Sequence, residues 1–290
     1  MCPLCGRQLE AAGVGRGSRA YHRCPWCDVY ALAPLPTPEE LAAHYSAMYE
    51  RGNYRVAREN PDSNHRKFRS AIVGALGEYR RLGLPRPRSV LDIGCFDGAF
   101  LDVAAGFGLT TYGFDTMPEA LSTAAARHAV WSGALENGAV SAGFDMVMMT
   151  DVVEHVATPR EYFRWVAAHL TPGGLLFITT PDLNSWAFRM LGTGWGMFDG
   201  SEHLILYTRS ALERVLSTAG LQTVRIGSYW KTLTLGYFVA IALHWQFGAD
   251  GRSMLPAWLR TVPLRINVGE MIAVARLASP PESGASLLQG

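Results

Sequence analysis

The amino-acid sequence has little net charge and no hydrophobic run long enough to cross a membrane. Lys and Arg exceed Asp and Glu by one over 290 residues, whereas nucleic-acid binders usually carry a stronger basic patch because Lys and Arg neutralise phosphates. The longest apolar stretch, residues 230–245, is shorter than the roughly 20 residues that a membrane-spanning helix needs, and it contains Lys231 and His244. The sequence therefore gives no strong indication of nucleic-acid binding, and we expect no transmembrane segment.

We also expect no secretory leader. Met1 is followed directly by Cys-Pro-Leu-Cys, not by a charged segment and an apolar run, so we expect a cytoplasmic protein. Hydrophobic residues make up 49% of the chain, which is sufficient for one large domain core with a smaller appendage.

Cysteine is scarce, yet four of the five cysteines form two closely spaced pairs, Cys2 with Cys5 and Cys24 with Cys27. Two such knuckles can present four thiolates to one tetrahedral Zn²⁺, and this leaves no open position for catalysis. Two disulfides are the alternative, which a reducing compartment disfavours. We predict a structural zinc ribbon over residues 1–33.

Residues 34–88 are predicted to form a helical linker or lid. Thr37-Pro38-Glu39-Glu40 is a capping box with proline at the first helical position, which indicates that a helix starts there. Apolar residues at helical spacing predict a second helix over residues 65–82.

From residue 89 the sequence alternates between strand and helix patterns, which favours a parallel sheet covered on both faces. We predict an α/β fold over residues 89–290, with a Rossmann-like, seven-stranded, mostly parallel sheet. Two insertions, residues 182–207 and 229–265, fall where the loops of such a sheet surround a ligand. The expected strands are residues 90–93, 111–114, 129–131, 146–149, 175–179, 222–226 and 271–275.

A buried strand that runs into a glycine turn is the most informative motif: Val90-Leu91-Asp92-Ile93-Gly94-Cys95-Phe96-Asp97-Gly98. Asp115 ends the next apolar run, where an acid can accept hydrogen bonds from the ribose hydroxyls of a nucleotide-type cofactor. A dinucleotide needs Gly-x-Gly-x-x-Gly for close approach of the backbone to pyrophosphate. Here Phe96 replaces the central glycine and Asp97 would face the phosphates, so a dinucleotide is disfavoured.

The order of these motifs resembles the class I S-adenosylmethionine-dependent methyltransferases over residues 65–277. The resemblance implies that S-adenosylmethionine is the cofactor, with its methionine end at the glycine turn, its ribose at Asp115 and its adenine beside Leu135. Its sulfonium is cationic, so nearby carboxylates are favourable. The implied cofactor-binding residues are Asp92, Gly94, Cys95, Gly98, Asp115, Thr116, Leu135 and Asp151.

The run Asp151-Val152-Val153-Glu154-His155 is the first candidate for chemistry. It is similar to the Glu-x-x-Glu-His motif of ubiquinone-pathway O-methyltransferases, and that resemblance implies Asp151, Glu154 and His155 as ligands of a catalytic Mg²⁺. Alternatively, His155 is a general base, since an ordinary histidine pKa of about 6.5 suits proton removal at neutral pH. A third interpretation is that Glu154 and His155 only cap the next helix.

His203 is the second catalytic candidate. The sequence His203-Leu204-Ile205-Leu206-Tyr207-Thr208 resembles a pattern of small-molecule methyltransferases. The alternative is that this segment merely starts the following helix, with Thr208 or Ser210 as its cap.

Aromatic and methionine residues crowd the two insertions and predict an apolar or ring-containing small-molecule acceptor. They are Trp186, Phe188, Met190, Trp195, Met197, Phe198, Tyr229, Trp230, Tyr237, Phe238 and Trp245, and Tyr45, Tyr49 and Tyr54 are expected to close the same pocket. The sequence favours O-methylation of a metabolite, sugar, natural-product or lipid-linked precursor. The alternatives are a zinc-ribbon rRNA or tRNA methyltransferase and a non-catalytic zinc-ribbon binding protein.

Overall fold

The computed structural model describes residues 1–16, 19–50, 61–138, 143–239 and 255–278, and the following statements concern these residues. The strands are β1 (Glu10–Arg16), β2 (Arg19–Cys24), β3 (Val29–Ala33), β4 (Ser89–Ile93), β5 (Thr110–Phe114), β6 (Ala129–Trp131), β7 (Phe144–Thr150), β8 (Leu170–Pro181), β9 (Ile205–Tyr207), β10 (Leu221–Ser228), β11 (Lys231–Thr234), β12 (Pro263–Ile266) and β13 (Glu270–Leu277). The helices are α1 (Pro38–Glu50), α2 (Pro61–Arg81), α3 (Ala99–Gly106), α4 (Pro118–Ala124), α5 (Pro159–His169), α6 (Trp186–Leu191), α7 (Arg209–Thr218) and α8 (Ala257–Arg260).

The central sheet has seven strands in the order β10-β13-β8-β7-β4-β5-β6. β13 runs antiparallel to both of its neighbours, and the remaining pairs are parallel. This arrangement confirms the predicted α/β fold with a mostly parallel sheet, and each expected strand is present with ends that differ by a few residues.

Two hydrophobic cores cover the two faces of this sheet. Successive side chains of a strand point to opposite faces, and Leu91 of β4 packs in the core that α5 and α7 complete, whereas Val90 packs in the core that α2 and α3 complete. Because the inner strands are covered on both sides, β4 and β7 are buried along most of their length.

The N-terminal strands form a second, antiparallel sheet in the order β1-β2-β3-β9. β9 belongs to the insertion over residues 182–207, and a parallel bridge joins Asp182 to Tyr207. The cysteine-bearing segment therefore pairs with a strand that follows the fifth strand of the central sheet. The division into three domains stays a prediction.

The capping box at the start of α1 is present. The Thr37 amide donates to Glu40 Oε2 over 2.8 Å, and the Glu40 amide donates to Thr37 Oγ1 over 3.2 Å, so each side chain satisfies a free amide at the helix start. α2 begins four residues before its predicted start.

The second insertion contains β11, which pairs with β12 as an antiparallel ribbon. Residues 235–239 form a helical turn directly after β11. Trp245 lies outside the described residues. Within the described ranges, no helix combines the length and the hydrophobicity that membrane crossing requires.

Candidate active site

The glycine turn between β4 and α3 adopts a backbone that needs residues without a Cβ. Gly94 and Gly98 have φ values of 82° and 81°, in the left-handed region that favours glycine. A Cβ on Gly94 would lie 2.5 Å from Val152 Cγ2, and one on Gly98 would lie 2.8 Å from Ala124 Cβ. The turn is therefore held against the segments after β7 and in α4.

Phe96 takes a φ of 48° in the same turn, which is unusual for a residue with a side chain. Its amide donates to Asp115 Oδ2 over 2.9 Å, and the Met117 amide donates to Asp115 Oδ1 over 2.9 Å. Two backbone amides thus fix the carboxylate of Asp115 in the position predicted to receive a ribose.

Asp92 at the end of β4 and Cys95 in the turn are both buried. Burial, together with the charge of Asp115, raises the pKa of Asp92 well above its ordinary value. Burial also raises the pKa of Asp115 and of the Cys95 thiol. A bound cation would favour the ionised carboxylates, so the pair suits a ligand with positive charge.

A cavity of about 820 Å³ extends from the glycine turn to the segment after β7. This volume is within the range of small-molecule sites, roughly 300–1,000 Å³. Six of the predicted cofactor residues line the cavity, namely Asp92, Gly94, Cys95, Asp115, Thr116 and Asp151. Gly98 and Leu135 are not among its lining residues, and Leu135 is buried in the core.

Asp151 begins the segment after β7 with a φ of 55°. Thr179 Oγ1 donates to its Oδ1 over 3.0 Å, and Lys231 Nζ donates to its Oδ2 over 2.9 Å. Although burial opposes ionisation, the charges of Lys231 and Lys67 hold the pKa of Asp151 below its ordinary value. Asp151 is therefore an anion locked between polar partners.

The residues around Asp151 were not predicted from the sequence. Lys231 Nζ also donates to Glu270 Oε1 over 2.6 Å, and Lys67 Nζ lies 3.9 Å from Asp151 Oδ2. Burial and the charge of Lys231 lower the pKa of Lys67. The signal that could have found them is composition, since Lys67 and Lys231 are the only lysines in the chain.

His155 is the histidine that lines the cavity. Its Nδ1 lies 2.9 Å from the Glu202 carbonyl oxygen, which can only accept, so Nδ1 carries the proton. Tyr45 Oη of α1 lies 3.3 Å from the same nitrogen. Burial and the charge of His203 lower the pKa of His155 to about 4, so this imidazole is neutral at pH 7.

His203 and Glu154 lie behind His155, and neither is among the lining residues. The rings of His155 and His203 are 4.9 Å apart, and His203 Nδ1 lies 2.5 Å from Asp199 Oδ2. Burial acts to lower the pKa of His203, but the contact with Asp199 outweighs it and raises this pKa to about 9. Burial and the charge of Asp151 raise the pKa of Glu154 to about 8.

The predicted Mg²⁺ ligands do not gather as a set of three. Ligand atoms of Glu154, His155 and His203 lie within 4.8 Å of one another, whereas Asp151 does not belong to this group. Asp151 instead forms the ion pairs described above. Among the described residues, the first residue of the motif therefore does not join the other two as a possible metal ligand.

The aromatic residues of the first insertion serve a different purpose from the one expected. Phe198 is fully buried against Tyr21 and Tyr30 of the N-terminal sheet, with ring centroids 5.0 and 5.3 Å away, and Trp186 is exposed. None of the aromatic and methionine residues of this insertion is among the cavity-lining residues, whereas Glu202 of the same insertion is. Phe198 instead covers the apolar face that the N-terminal strands offer. In the second insertion Tyr237 lines the cavity.

Two predictions on the flanking segments have simple outcomes. The Thr208 hydroxyl accepts a hydrogen bond from the Ala211 amide and caps α7, so the capping interpretation is correct for Thr208. Tyr45 lines the cavity as expected, whereas Tyr54 and the side chain of Tyr49 lie outside the described part.

The four N-terminal cysteines converge on one point. The sulfurs of Cys2, Cys5, Cys24 and Cys27 lie within 4.8 Å of one another, and none is in a disulfide. Cys5 Sγ and Cys24 Sγ are 3.7 Å apart, close to the edge of about 3.8 Å of a tetrahedron with Zn–S bonds of about 2.3 Å. The cluster could therefore hold a tetrahedral metal ion.

Known proteins with similar sequence or fold agree with this geometry. The ubiquinone biosynthesis O-methyltransferase of Methylobacterium nodulans is 28% identical over 186 residues, which are 56% of this chain and 75% of that protein. The protein of the same description from Caulobacter sp. strain K31 is 40% identical over 102 residues, 31% of this chain and 40% of that protein. Such matches span from less than half to three quarters of the relatives.

Among solved structures, the plantazolicin methyltransferase BpumL in complex with a triazolic desmethyl analogue and SAH has a TM-score of 0.56 at 15% identity. The alignment covers 83% of this chain and 96% of that one. At this identity the likeness shows the fold.

The strand order, the glycine turn and these similarities define a class I S-adenosylmethionine-dependent methyltransferase. The family model described as a methyltransferase domain matches residues 65–226, more than half of the chain, and the chain belongs to that family. The interpretation as a non-catalytic binding protein is therefore set aside.

Proposed function

We propose that this enzyme transfers a methyl group from S-adenosylmethionine to a hydroxyl oxygen of a small-molecule acceptor. The observation that carries the proposal is that one cavity is lined both by the carboxylates of Asp92 and Asp115 and by Asp151 and His155. A cofactor held at Asp92 and Asp115 would share this cavity with an acceptor held at Asp151 and His155.

The character of the lining supports an apolar or ring-containing acceptor. Leu41 and Tyr45 of α1, Phe68 of α2 and Tyr237 of the second insertion contribute to it. Such a surface favours burial of a ring, while Lys67, Asp151 and His155 supply polar contacts that can orient a hydroxyl group. The similarity of the chain to ubiquinone biosynthesis O-methyltransferases also favours O-methylation.

When bound, S-adenosylmethionine supplies an electrophilic methyl group. Asp115, fixed by two amides, would bind the ribose, and the glycine turn with Asp92 would hold the methionine end. Neutral His155 can accept a hydrogen bond at Nε2 from the acceptor, since Nδ1–H is used by Glu202. Its low pKa makes it a weak base, so alignment of acceptor and methyl group is the main contribution of these side chains.

The cysteine cluster would hold one structural Zn²⁺. All four thiolates are consumed as ligands, so this ion would stabilise the N-terminal sheet and take no part in methyl transfer. We further propose that the ribbon is an integral wall of the enzyme, because β3 pairs with β9 and the Tyr21 hydroxyl donates to the His203 carbonyl over 2.7 Å.

The proposal is tested with the full-length protein by calorimetry with S-adenosylhomocysteine and by mass spectrometry of reactions with S-adenosylmethionine. Acceptors to compare are a catechol series and total tRNA and rRNA. We expect saturable binding of S-adenosylhomocysteine and a gain of one methyl group on a catechol hydroxyl. Methylation of RNA with none of the catechols would favour the rRNA or tRNA alternative, and absence of cofactor binding would refute both.

A further inference from the structure

Both lysines of the chain lie beside the same carboxylate in the cavity. Of the 26 basic Lys and Arg residues, 24 are arginines. Lys67 comes from α2 and Lys231 from β11, yet their Nζ atoms lie 3.9 and 2.9 Å from Asp151 Oδ2. A chain that uses arginine almost everywhere thus places its two compact ammonium groups at one oxygen atom, and lysine differs from arginine as a point charge without a planar fork.

We propose that the ammonium group of Lys67 binds the hydroxyl oxygen of the acceptor in its ionised, anionic form. Lys67 and Lys231 together would supply the positive charge that the sequence resemblance assigned to Mg²⁺ at Asp151. This inference rests on the proposed O-methyl transfer and names the group that receives the acceptor oxygen.

The two lysines have different tasks. Lys231 Nζ is occupied, because it donates to Asp151 and to Glu270 over 2.9 and 2.6 Å. Lys67 lines the cavity, and within the described residues its one ion pair, with Asp151, is too long for a hydrogen bond. The side chain of Lys67 keeps 19% of its surface exposed, so its N–H donors are available to a ligand in the cavity.

Asp151 does not fit a role as a magnesium ligand. One of its oxygens accepts from Thr179, and the other lies beside both ammonium groups. A divalent cation at that oxygen would meet like charges at short range, which is unfavourable in a partly buried site. The lysine pair provides the same sign of charge without an added ion.

This charge changes the acceptor in a defined way. An ammonium group beside a hydroxyl favours its ionised form, and the released proton leaves to water. The oxyanion then attacks the methyl carbon, an O–C bond forms, and the C–S bond breaks with its electron pair remaining on sulfur. The products are a methyl ether and the neutral thioether S-adenosylhomocysteine, so charge and atoms balance.

The test uses the full-length protein with S-adenosylhomocysteine and 4-nitrocatechol, whose ionisation is read from its visible absorbance. In the wild type we expect the bound probe to ionise at lower pH than in solution. In Lys67→Met this shift should shrink by at least about one pH unit, a tenfold change in the ionisation constant. Lys67→Arg should restore part of it, and Arg66→Met is the matched control on the exposed side of the same helix.

Selective ¹⁵N labelling of lysine gives a second readout, because the chain yields only two side-chain signals. The Lys67 signal should move when 4-nitrocatechol binds. The proposal is overturned by any of three results: equal probe ionisation in the wild type and Lys67→Met, loss of the shift in a Mg²⁺-free buffer that contains zinc, or weakened S-adenosylhomocysteine binding in Lys67→Met. The last result would assign Lys67 to the carboxylate of the cofactor. Failure of the proposed function is distinct, since it requires that the wild type binds no cofactor or methylates no hydroxyl.

Discussion

Replacement of Asp115 by Asn tests the assignment of the cofactor end of the cavity. The carboxylate of Asp115 accepts the amides of Phe96 and Met117, both over 2.9 Å, on its two oxygens. Asn has one oxygen and one NH₂ group, so one of these amides would face a donor instead of an acceptor. The variant therefore loses a charged acceptor for the ribose and keeps the shape of the side chain.

The size of the effect follows from the hydrogen bonds that the substitution removes. A hydrogen bond to a charged group contributes about 1.5–3 kcal/mol, and each 1.4 kcal/mol is a tenfold change in Kd. We expect Asp115→Asn to bind S-adenosylhomocysteine about ten- to a hundred-fold more weakly by calorimetry.

Asp97→Asn is the matched control for this experiment. Asp97 lines the same cavity, and its Oδ1 accepts the Ala99 amide over 3.2 Å, a bond that the Asn oxygen can also make. The affinity of Asp97→Asn for S-adenosylhomocysteine should stay near that of the wild type. Equal affinity of Asp115→Asn and Asp97→Asn for S-adenosylhomocysteine would refute the ribose assignment.

The remaining predictions concern the turn, the charge of the cofactor site and the cysteine cluster. Gly94→Ala should lower the unfolding free energy by roughly 1–3 kcal/mol in denaturant titrations, because φ is 82° and a valine methyl lies 2.5 Å from the new Cβ. Gly77→Ala is the control inside α2, where the new Cβ meets no atom within 4 Å, and it should raise the unfolding free energy by about 0.5–1 kcal/mol. The raised pKa of Asp92 means that its carboxyl is neutral at low pH and charged at high pH, so affinity for the sulfonium cofactor relative to its demethylated product should rise with pH; calorimetry that finds a constant ratio contradicts this. Elemental analysis should find one zinc per chain. Cys24→Ser should lose this zinc and have a Tm several degrees lower, whereas Cys95→Ser should retain the zinc.

The sequence predicted the parts of the site whose geometry is local. The glycine turn, its aspartates and the capping box at Thr37 each depend on a few consecutive residues and on backbone conformations that only certain side chains permit. Asp115 was found because a parallel sheet aligns the carboxyl ends of neighbouring strands, so an acid at the end of β5 must lie near the turn after β4.

Other expectations were incomplete, because the type of an apolar or charged side chain does not indicate which residues it contacts in the folded chain. The aromatic residues around Phe198 were expected over the pocket and instead pack on the N-terminal sheet. Leu135 was expected beside the adenine; it is buried in the core and is not among the cavity-lining residues, so its contact with the adenine stays a prediction.

The amino-acid sequence by itself determined the alternation of strands and helices, the cysteine pairs and the glycine turn, since periodicity, glycine placement and spacing act over short distances. Only the tertiary structure decided which groups surround Asp151. Insertion of β13 between β10 and β8 brings Glu270 close to Lys231, and packing of α2 on the sheet brings Lys67 to the same carboxylate. Contacts between residues so far apart along the chain depend on how the elements pack, and no local pattern records them.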